Sequence, residues 1–344
     1  MQDLRIMVTG IAGLIGSWIA EGLIKEGTKV IGVDDLSGGF IENVPTWLPQ
    51  SRDLLEFHQV DISDYRKIEE VFAQTCPQCI VHCAAVAREG ASEFQPYKIT
   101  KSNILISSIL LELGVKYKMK RFVFLSSMSC YGDGKKKPPF DEKMPRMPVD
   151  PYGVSKAATE AIVEQLAETH GFEYVIIRPH NCTGPRQMIN DRYRNVAGIF
   201  MNSIMRQEPL ALFGKDHRRA FSYIEDALPA FLSAIGSEKA NGEIINVGGK
   251  EQITVSELAE EIIKNMPEYP RPQIVQLPAR PHEVAEAFCT TEKSELLLGY
   301  KEKYGWREGI RRMCEWAKEQ GPRPWVYDYL PLLNEKAPLV WRPE

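Results

Sequence analysis

A doubly wound α/β fold, a parallel sheet with helices packed on both faces, is what this sequence predicts, and three observations predict it. Apolar strand-like runs alternate with helical runs from the N-terminus to about residue 179. The strand runs are continuously apolar, as expected of parallel strands buried on both faces. A glycine-rich turn, "TGIAGLIG", joins the first strand run to the first helical run, the context in which such a turn carries meaning.

Taken in order, "LRIMVT" reads as a strand, "GLIGSWIAEGLIKEG" as a helix, "KVIGVD" as the second strand and "LEFHQVD" as the third. A helix is expected over Tyr65–Thr75, and "CIVHCAA" then gives a fourth strand. A long helix near 104–113, the strand "RFVFLSS", a helix opened by "DPYGVSK" and the strand "YVIIRP" continue the alternation. Past Arg178 the pattern loosens into "HNCTGPRQMINDRYRN" and mixes short strands ("LALF", "EIINVG", "QIVQL") with helices such as 255–265. This divides the chain into a dinucleotide-binding domain over 1–179, to which some later segments return, and a smaller α/β substrate lobe mainly over 180–319. Residues 320–344 form a tail rich in proline that carries two of the six tryptophans. Such a tail is expected to lie extended against the body or a neighbouring subunit.

Composition narrows the function classes. The 344 residues are 44% hydrophobic with a formal net charge of -4, which reads as globular and offers no basic excess for nucleic acid. Apolar runs stay short of the roughly 18 residues that a membrane span needs, so no membrane association and a cytoplasmic location are expected. Seven cysteines, with Cys79, Cys83 and Cys289 inside apolar runs, suggest reduced, buried thiols. Cys76 and Cys79 form a CxxC, but no second pair or histidine cluster supplies further ligands, so no metal site is expected.

The glycine turn carries Gly10, Gly13 and Gly16, a spacing that brings backbone close to a pyrophosphate at a helix N-terminus, where free N–H groups favour negative charge. The second strand ends in Asp34, 18 residues beyond Gly16, near the separation expected of the acid that binds an adenosine ribose. Asp34 with Asp35 would repel a 2′-phosphate, which favours NAD over NADP. The bland alternative for Asp34 is a turn residue in "DDLSGG".

Tyr152 and Lys156 are four apart, on one face of the first turns of a helix begun by Asp150 as N-cap and Pro151 at N1. On spacing alone they are either a solvated surface pair or a functional one. "FVFLSSMSCYG" brings Ser126, Ser127 and Ser129 to the carboxyl end of a buried strand, the edge where open α/β sheets bind ligands, although the serines there also satisfy strand-end backbone. A serine beside a Tyr–Lys pair over a nicotinamide is a complete proton-handling set. The ammonium and an oxidised nicotinamide would both lower the phenol from its usual pKa of about 10, making Tyr152 a base.

With those motifs in hand, the sequence resembles the extended short-chain dehydrogenase/reductase family, in particular its NAD-dependent sugar-nucleotide epimerases and dehydratases, and among them the UDP-glucose 4-epimerases. The resemblance spans nearly the whole chain and rests on "TGIAGLIG", "VDDLSGG", "VDISD", "VHCAA", "LSSMSCYG", "PFDE", "DPYGVSK", "RPHNCTGPRQ", "RRAFSYIEDA", "INVGG" and "RPHEVAEAFCTTEKSELLLGY". It implies that Gly10, Gly13, Leu14, Ile15, Gly16, Asp34, Asp35, Ser37 and Gly38 hold NAD, with Asp61 and Ile62 at the adenine. Ala84, Ala85 and Pro179 would line the cofactor, and Asn103 would support the site. Tyr152 would be the base, Lys156 its electrostatic partner and ribose ligand, and Ser127 the hydroxyl on the sugar O4, with Ser129 nearby. Asn181, Asn195, Arg219 and Arg280 would surround the UDP moiety, two arginine forks suiting a diphosphate, although a surface ion pair is the commoner fate of an arginine.

The implied reaction is an internal redox cycle: oxidation at C4 to a 4-keto sugar, rotation of the sugar, and reduction on the other face, with NAD retained. The expected substrates are UDP-glucose and UDP-galactose. Ala287, seventh after Arg280, would lie near the C2 substituent, where a small residue admits UDP-GlcNAc and UDP-GalNAc; it is equally an ordinary strand residue. Dehydratases of this family resemble one another in an Asp–Glu pair after the catalytic hydroxyl, where this chain has Met128 and Ser129. UDP-glucuronate 4-epimerases often carry an arginine where this chain has Met188, so that activity, or UDP-glucuronate decarboxylation, would need Arg186 or Arg88 to meet the carboxylate. A non-catalytic NAD or nucleotide-sugar sensor is the alternative outside enzymology. Arg88 and Glu89 depart from expectation beside the sugar pocket, where they either touch C6 or face solvent. A homodimer is expected from the resemblance, through the 104–113 helix and the Tyr152 helix.

Overall fold

The computed structural model describes residues 4–132, 137–214 and 217–341. Six strands, β1 (Arg5–Thr9), β2 (Lys29–Asp34), β3 (Leu55–Gln59), β4 (Cys79–His82), β5 (Arg121–Leu125) and β6 (Glu173–Pro179), are joined by a later strand, Glu243–Val247, in one sheet. Every neighbouring pair is parallel, and across the sheet the order is Glu243–Val247, β6, β5, β4, β1, β2, β3. The chain therefore builds outward from β1 to β3, then returns to β4 on the other side of β1. That reversal opens a crevice above the carboxyl ends of β1 and β4, the place where ligands bind in such sheets.

Burial on both faces explains the continuous apolar strands. Along β1, Ile6 and Val8 face one core, with Ile19, Leu23 and Phe231. Met7 faces the other, with Phe122, Phe124, Leu110 and Val163. Successive residues point to opposite faces, so a strand with no exposed face has no polar positions. His82, at the end of β4, is tied through its ring nitrogens to Thr9 Oγ1 at 2.7 Å and Ser107 Oγ at 2.9 Å. Burial holds it neutral, with its pKa lowered to about 3.

Local rules fix the helix that matters most for the site. Pro151–His170 begins where Asp150 Oδ1 accepts from Gly153 N at 2.8 Å, and ends at Gly171 in a left-handed conformation, φ +76°. The long helix predicted near 104–113 starts earlier, as a π-helical stretch Thr100–Leu105 running into Ile106–Lys116. Asn103 sits in that stretch. Its Oδ1 accepts from Val86 N at 2.8 Å while its Nδ2 donates to Ser155 Oγ at 2.9 Å, clamping the loop after β4 to the Tyr152 helix.

Beyond β6, helices Val196–Met205, Val255–Lys264 and Gly305–Gln320 share a separate apolar core with Phe200, Leu258, Ile262 and Met313. The tail packs against the chain's own body. Val326 N donates to Asn190 O at 2.8 Å, Leu332 N to Phe94 O at 3.1 Å, and buried Trp341 packs edge-on against Phe94 and Tyr193. Among the described residues, no helix is long and apolar enough to cross a membrane. Nor is any group of three or more His, Cys, Asp or Glu side chains among them placed to hold a metal ion.

Candidate active site

One cavity of about 500 Å³ runs from the glycine turn, over the carboxyl ends of the strands, to the tail residue Trp341. At its cofactor end the turn needs its glycines. Gly10 has φ +70°, and a Cβ there would lie 2.8 Å from Ala84 N. A Cβ on Gly16 would lie 2.1 Å from Gly10 O. The helix Leu14–Lys25 (α1) starts at Gly13 with no capping side chain and no acid in its first turn, so its free N–H groups and positive dipole end face the cavity. Asp34 closes the turn from β2: its carboxylate accepts from Ala12 N at 2.9 Å and Leu36 N at 2.8 Å, while burial raises its pKa. Asp35 accepts from Ser37 N at 2.9 Å and Oγ at 2.6 Å. Leu14, Ile15, Gly38, Asp61, Ile62, Ala84, Ala85 and Pro179 all line the same space; Asn103 does not, and acts on it through Val86 and Ser155.

Ser127, Tyr152 and Lys156 line the middle of the cavity. Ser127 lies just beyond β5 as the N-cap of the turn Met128–Tyr131 and accepts from Ser129 N at 3.1 Å. Tyr152 is 6% exposed, and its backbone N–H donates to Ser92 Oγ at 3.2 Å. Burial, reinforced by Glu89 and Asp150, pushes the phenol above its usual pKa, and the Ser127 hydroxyl only partly offsets it. Lys156 Nζ donates to Leu125 O at 2.7 Å and lies 4.7 Å from the centre of the Phe124 ring. Burial lowers the Lys156 ammonium to about 8.

At the far end Asn181, held with φ +42°, donates to Ala220 O at 3.0 Å, and Asn195 caps the Val196–Met205 helix by accepting from Ala197 N at 3.0 Å. Arg219 donates to the carbonyls of Arg218 at 2.9 Å and Ala285 at 3.0 Å, and Arg280 is paired with Glu283 at 2.7 Å and stacked 5.2 Å over Phe213. All four line the cavity. Ser129 and Ala287 do not. They border an adjoining cavity of about 40 Å³, with Ala287 only 1% exposed in an apolar cluster with Met128 and Phe140.

A model of the NAD dependent epimerase/dehydratase family matches residues 6–248 of this chain. The chain belongs to that family. The UDP-glucose 4-epimerase of Thermotoga maritima, solved with UDP-glucose, is 31% identical, with TM-score 0.84 over 92% of this chain and 99% of that one. The UDP-glucose 4-epimerase of Thermus thermophilus, solved with NAD, is 30% identical, with TM-score 0.83 over 92% and 99%. A UDP-glucuronate 4-epimerase of Thermodesulfobacterium geofontis is 27% identical over 91% of this chain and 96% of its own length. The cofactor is NAD, and the glycine cradle, the uncapped start of α1 and the Asp34 carboxylate fit it.

In this epimerase/dehydratase member both Arg88 and Glu89 border the cavity. Arg88 is buried at the edge of the cavity, where it pairs with Asp191 at 2.8 Å and with Asp328 of the tail and lies over Tyr193. Glu89 turns inward, accepting from Ser129 Oγ, and borders both cavities. Sequence reading missed Arg194, which lines the cavity, donates to Gly38 O at 3.1 Å and pairs with Asp191 at 3.2 Å. Its only signal was the charged run "DRYRN". It also missed Trp341, which closes the far end 6.0 Å from the Arg280 guanidinium.

Proposed function

We propose that this NAD-dependent enzyme is a UDP-sugar 4-epimerase that interconverts UDP-glucose and UDP-galactose. The observation that carries the reading is the shared cavity, in which Ser127, Tyr152 and Lys156 stand between the glycine turn and the Arg219–Arg280 end. Tyr152 takes the proton from the sugar O4, and Ser127 holds that oxygen. Lys156, buried beneath the site, stabilises the phenolate and orients the cofactor ribose. Bound NAD supplies a hydride acceptor and donor. Arg219 and Arg280 hold the diphosphate while the 4-keto sugar turns to present its other face, and Tyr152 then returns its proton.

Two further observations support epimerisation of a neutral sugar. Arg88 is committed to Asp191 and Asp328, and Arg186 to Glu21 between the rings of Trp18 at 4.5 Å and Trp47 at 4.8 Å, so neither candidate is directed to a sugar carboxylate. The acid that does enter the cavity, Glu89, would repel one. The same reading includes a homodimer through the Thr100–Lys116 and Pro151–His170 helices, on which Leu105 and Val154 are exposed to 44% and 49%. The test is incubation of the purified protein with UDP-galactose, followed by NMR. Appearance of UDP-glucose without net oxidation supports the reading. Turnover of UDP-glucuronate but not of UDP-galactose overturns it.

A further inference from the structure

A cluster of charges on the cavity wall holds one more cation than carboxylates. Asp191, fully buried, meets two guanidinium groups at one oxygen: Arg88 donates to its Oδ2 from Nε at 3.0 Å and Nη2 at 2.8 Å, and Arg194 Nε stands 3.2 Å from the same atom. Its Oδ1 accepts from Tyr193 N at 2.9 Å. The second carboxylate, Asp328, is shared by Arg88 and Lys98. Three cations thus face two carboxylates. Arg194 is the one served least, because the hydrogen bonds to Asp191 Oδ2 come from Arg88 and the Nε of Arg194 is buried without one.

The Arg194 fork lies at the cofactor end of the cavity. Its Nη1 donates to Gly38 O at 3.1 Å, and a Cβ on Gly38 would lie 2.6 Å from Nη2, so the fork is seated against a residue with no side chain. That loop rests in turn on the glycine turn. A Cβ on Gly39 would lie 2.3 Å from Ala12 O and 2.9 Å from Gly13 N, and Phe40 N donates to Ala12 O at 3.2 Å. Gly13 is the uncapped start of α1, so one short loop joins the guanidinium to a helix N-terminus, and both line the cavity. Burial holds the guanidinium below the usual arginine range; Asp191 opposes this, Arg88 reinforces it, and the charges of Tyr152 and Asp34 also act on it. A buried fork short of acceptors costs free energy until an anion meets it.

We propose that Arg194 is a cofactor-binding residue, the cation that pairs with the NAD pyrophosphate at the start of α1. With Asp34 at the adenosine ribose and Tyr152 at the nicotinamide, the pyrophosphate is the part of the cofactor that joins the two. The glycine turn offers it backbone N–H groups and the partial charge of a helix end, and Arg194 adds a full charge on a planar fork suited to paired bonds with phosphate oxygens. Asp191 steadies the Nε side of the fork and leaves the Nη donors to the phosphates. Arg194 has this role whichever sugar is turned over, since the cofactor is NAD in either case.

The test reads retention of NAD rather than turnover. Arg194→Gln, Arg194→Met and Arg194→Lys are purified beside the parent and held in NAD-free buffer for timed intervals, and the NAD still bound is released by denaturation and measured. Glutamine can still donate to Gly38 O, so a side chain that only ties down the loop predicts that Arg194→Gln keeps NAD as the parent does and that Arg194→Lys does no better than Arg194→Met. The proposal predicts that NAD leaves Arg194→Gln and Arg194→Met about ten- to a hundredfold faster than the parent, the worth of a charge-assisted contact, with Arg194→Lys in between. If Arg194→Gln fails to fold, Arg194→Lys against Arg194→Met decides the question on charge alone. UDP, titrated by calorimetry into the NAD-loaded proteins, should bind all of them alike. Parent-like retention of NAD by Arg194→Gln and Arg194→Met overturns the proposal. So does UDP binding that weakens while NAD is held, which would give the guanidinium to the second diphosphate. A parent that binds no UDP counts against the function proposed above, and NAD retention still decides the role of Arg194.

Discussion

Glu160 is where the stability of the site is most exposed to a single substitution. It is 0% exposed and accepts both forks of Arg178, at 2.8 and 2.6 Å, together with Arg146 Nε at 2.6 Å and Ser126 Oγ at 2.5 Å. Burial raises its pKa, but the Arg178 hydrogen bonds and charge outweigh this and hold it low. Arg178 is 1% exposed, stacks 4.5 Å over Tyr131, and already has Nη1 without a partner. Glu160→Leu would therefore leave a buried guanidinium with nothing to accept from it, a change that costs about 3–5 kcal/mol. At an unfolding entropy of roughly 2.1 cal/mol/K per residue, a chain of 344 residues has about 0.7 kcal/mol/K, so Tm should fall by about 4–7 °C. The assay is calorimetry or circular dichroism at saturating NAD. Glu160→Leu with Arg178→Met should recover most of the loss, because no orphan charge remains and Arg146 keeps Glu164 at 2.6 Å. A double variant as unstable as the single one would refute the argument from the unpaired charge.

Other predictions follow from the same geometry. Burial and the nearby Glu89 charge raise Asp150 from 3.8 to about 7, so the folded state holds its proton more tightly than the unfolded chain. Stability should decline as pH rises from about 4 to about 7; Asp150→Asn, an equally good cap, should match the parent below that window and exceed it above, as read from Tm against pH. Gly16→Ala drives a Cβ to 2.1 Å from Gly10 O, so α1 must shift; a loss of about 1–3 kcal/mol is expected, and the purified protein should carry less NAD on extraction. If the proposed homodimer forms through these helices, Leu105→Glu with Val154→Glu should yield a monomer by analytical ultracentrifugation, since both side chains are exposed there.

What the sequence made legible is what short-range rules decide. The glycine turn and Asp34 are separated by one helix and a strand, and Asp150, Pro151, Tyr152 and Lys156 fall within two helical turns, so spacing placed them on shared faces although it left the Tyr152–Lys156 pair either solvated or functional. What it hid depends on partners far along the chain. Sequence leaves Arg88 either a sugar contact or a solvent-facing side chain, because Asp191 and Asp328 are 103 and 240 residues away and nothing local announces either pairing. The inward turn of Glu89 depends on Ser129, 40 residues on, and the siting of Ala287 on its pairing with Arg219. The bond from the Lys156 ammonium to the Leu125 carbonyl and the burial that raises the phenol of Tyr152 depend likewise on how distant elements pack. Charge type was readable from the chain, whereas the direction a long side chain takes was not.

The central claim is that Tyr152 is the proton acceptor over bound NAD. Its most direct measurement is turnover of UDP-galactose by Tyr152→Phe alongside the nucleotide released when that variant is denatured. The account predicts NAD at the parent's stoichiometry and activity lowered by at least about a hundredfold. Activity equal to the parent's, with NAD still bound, would contradict it.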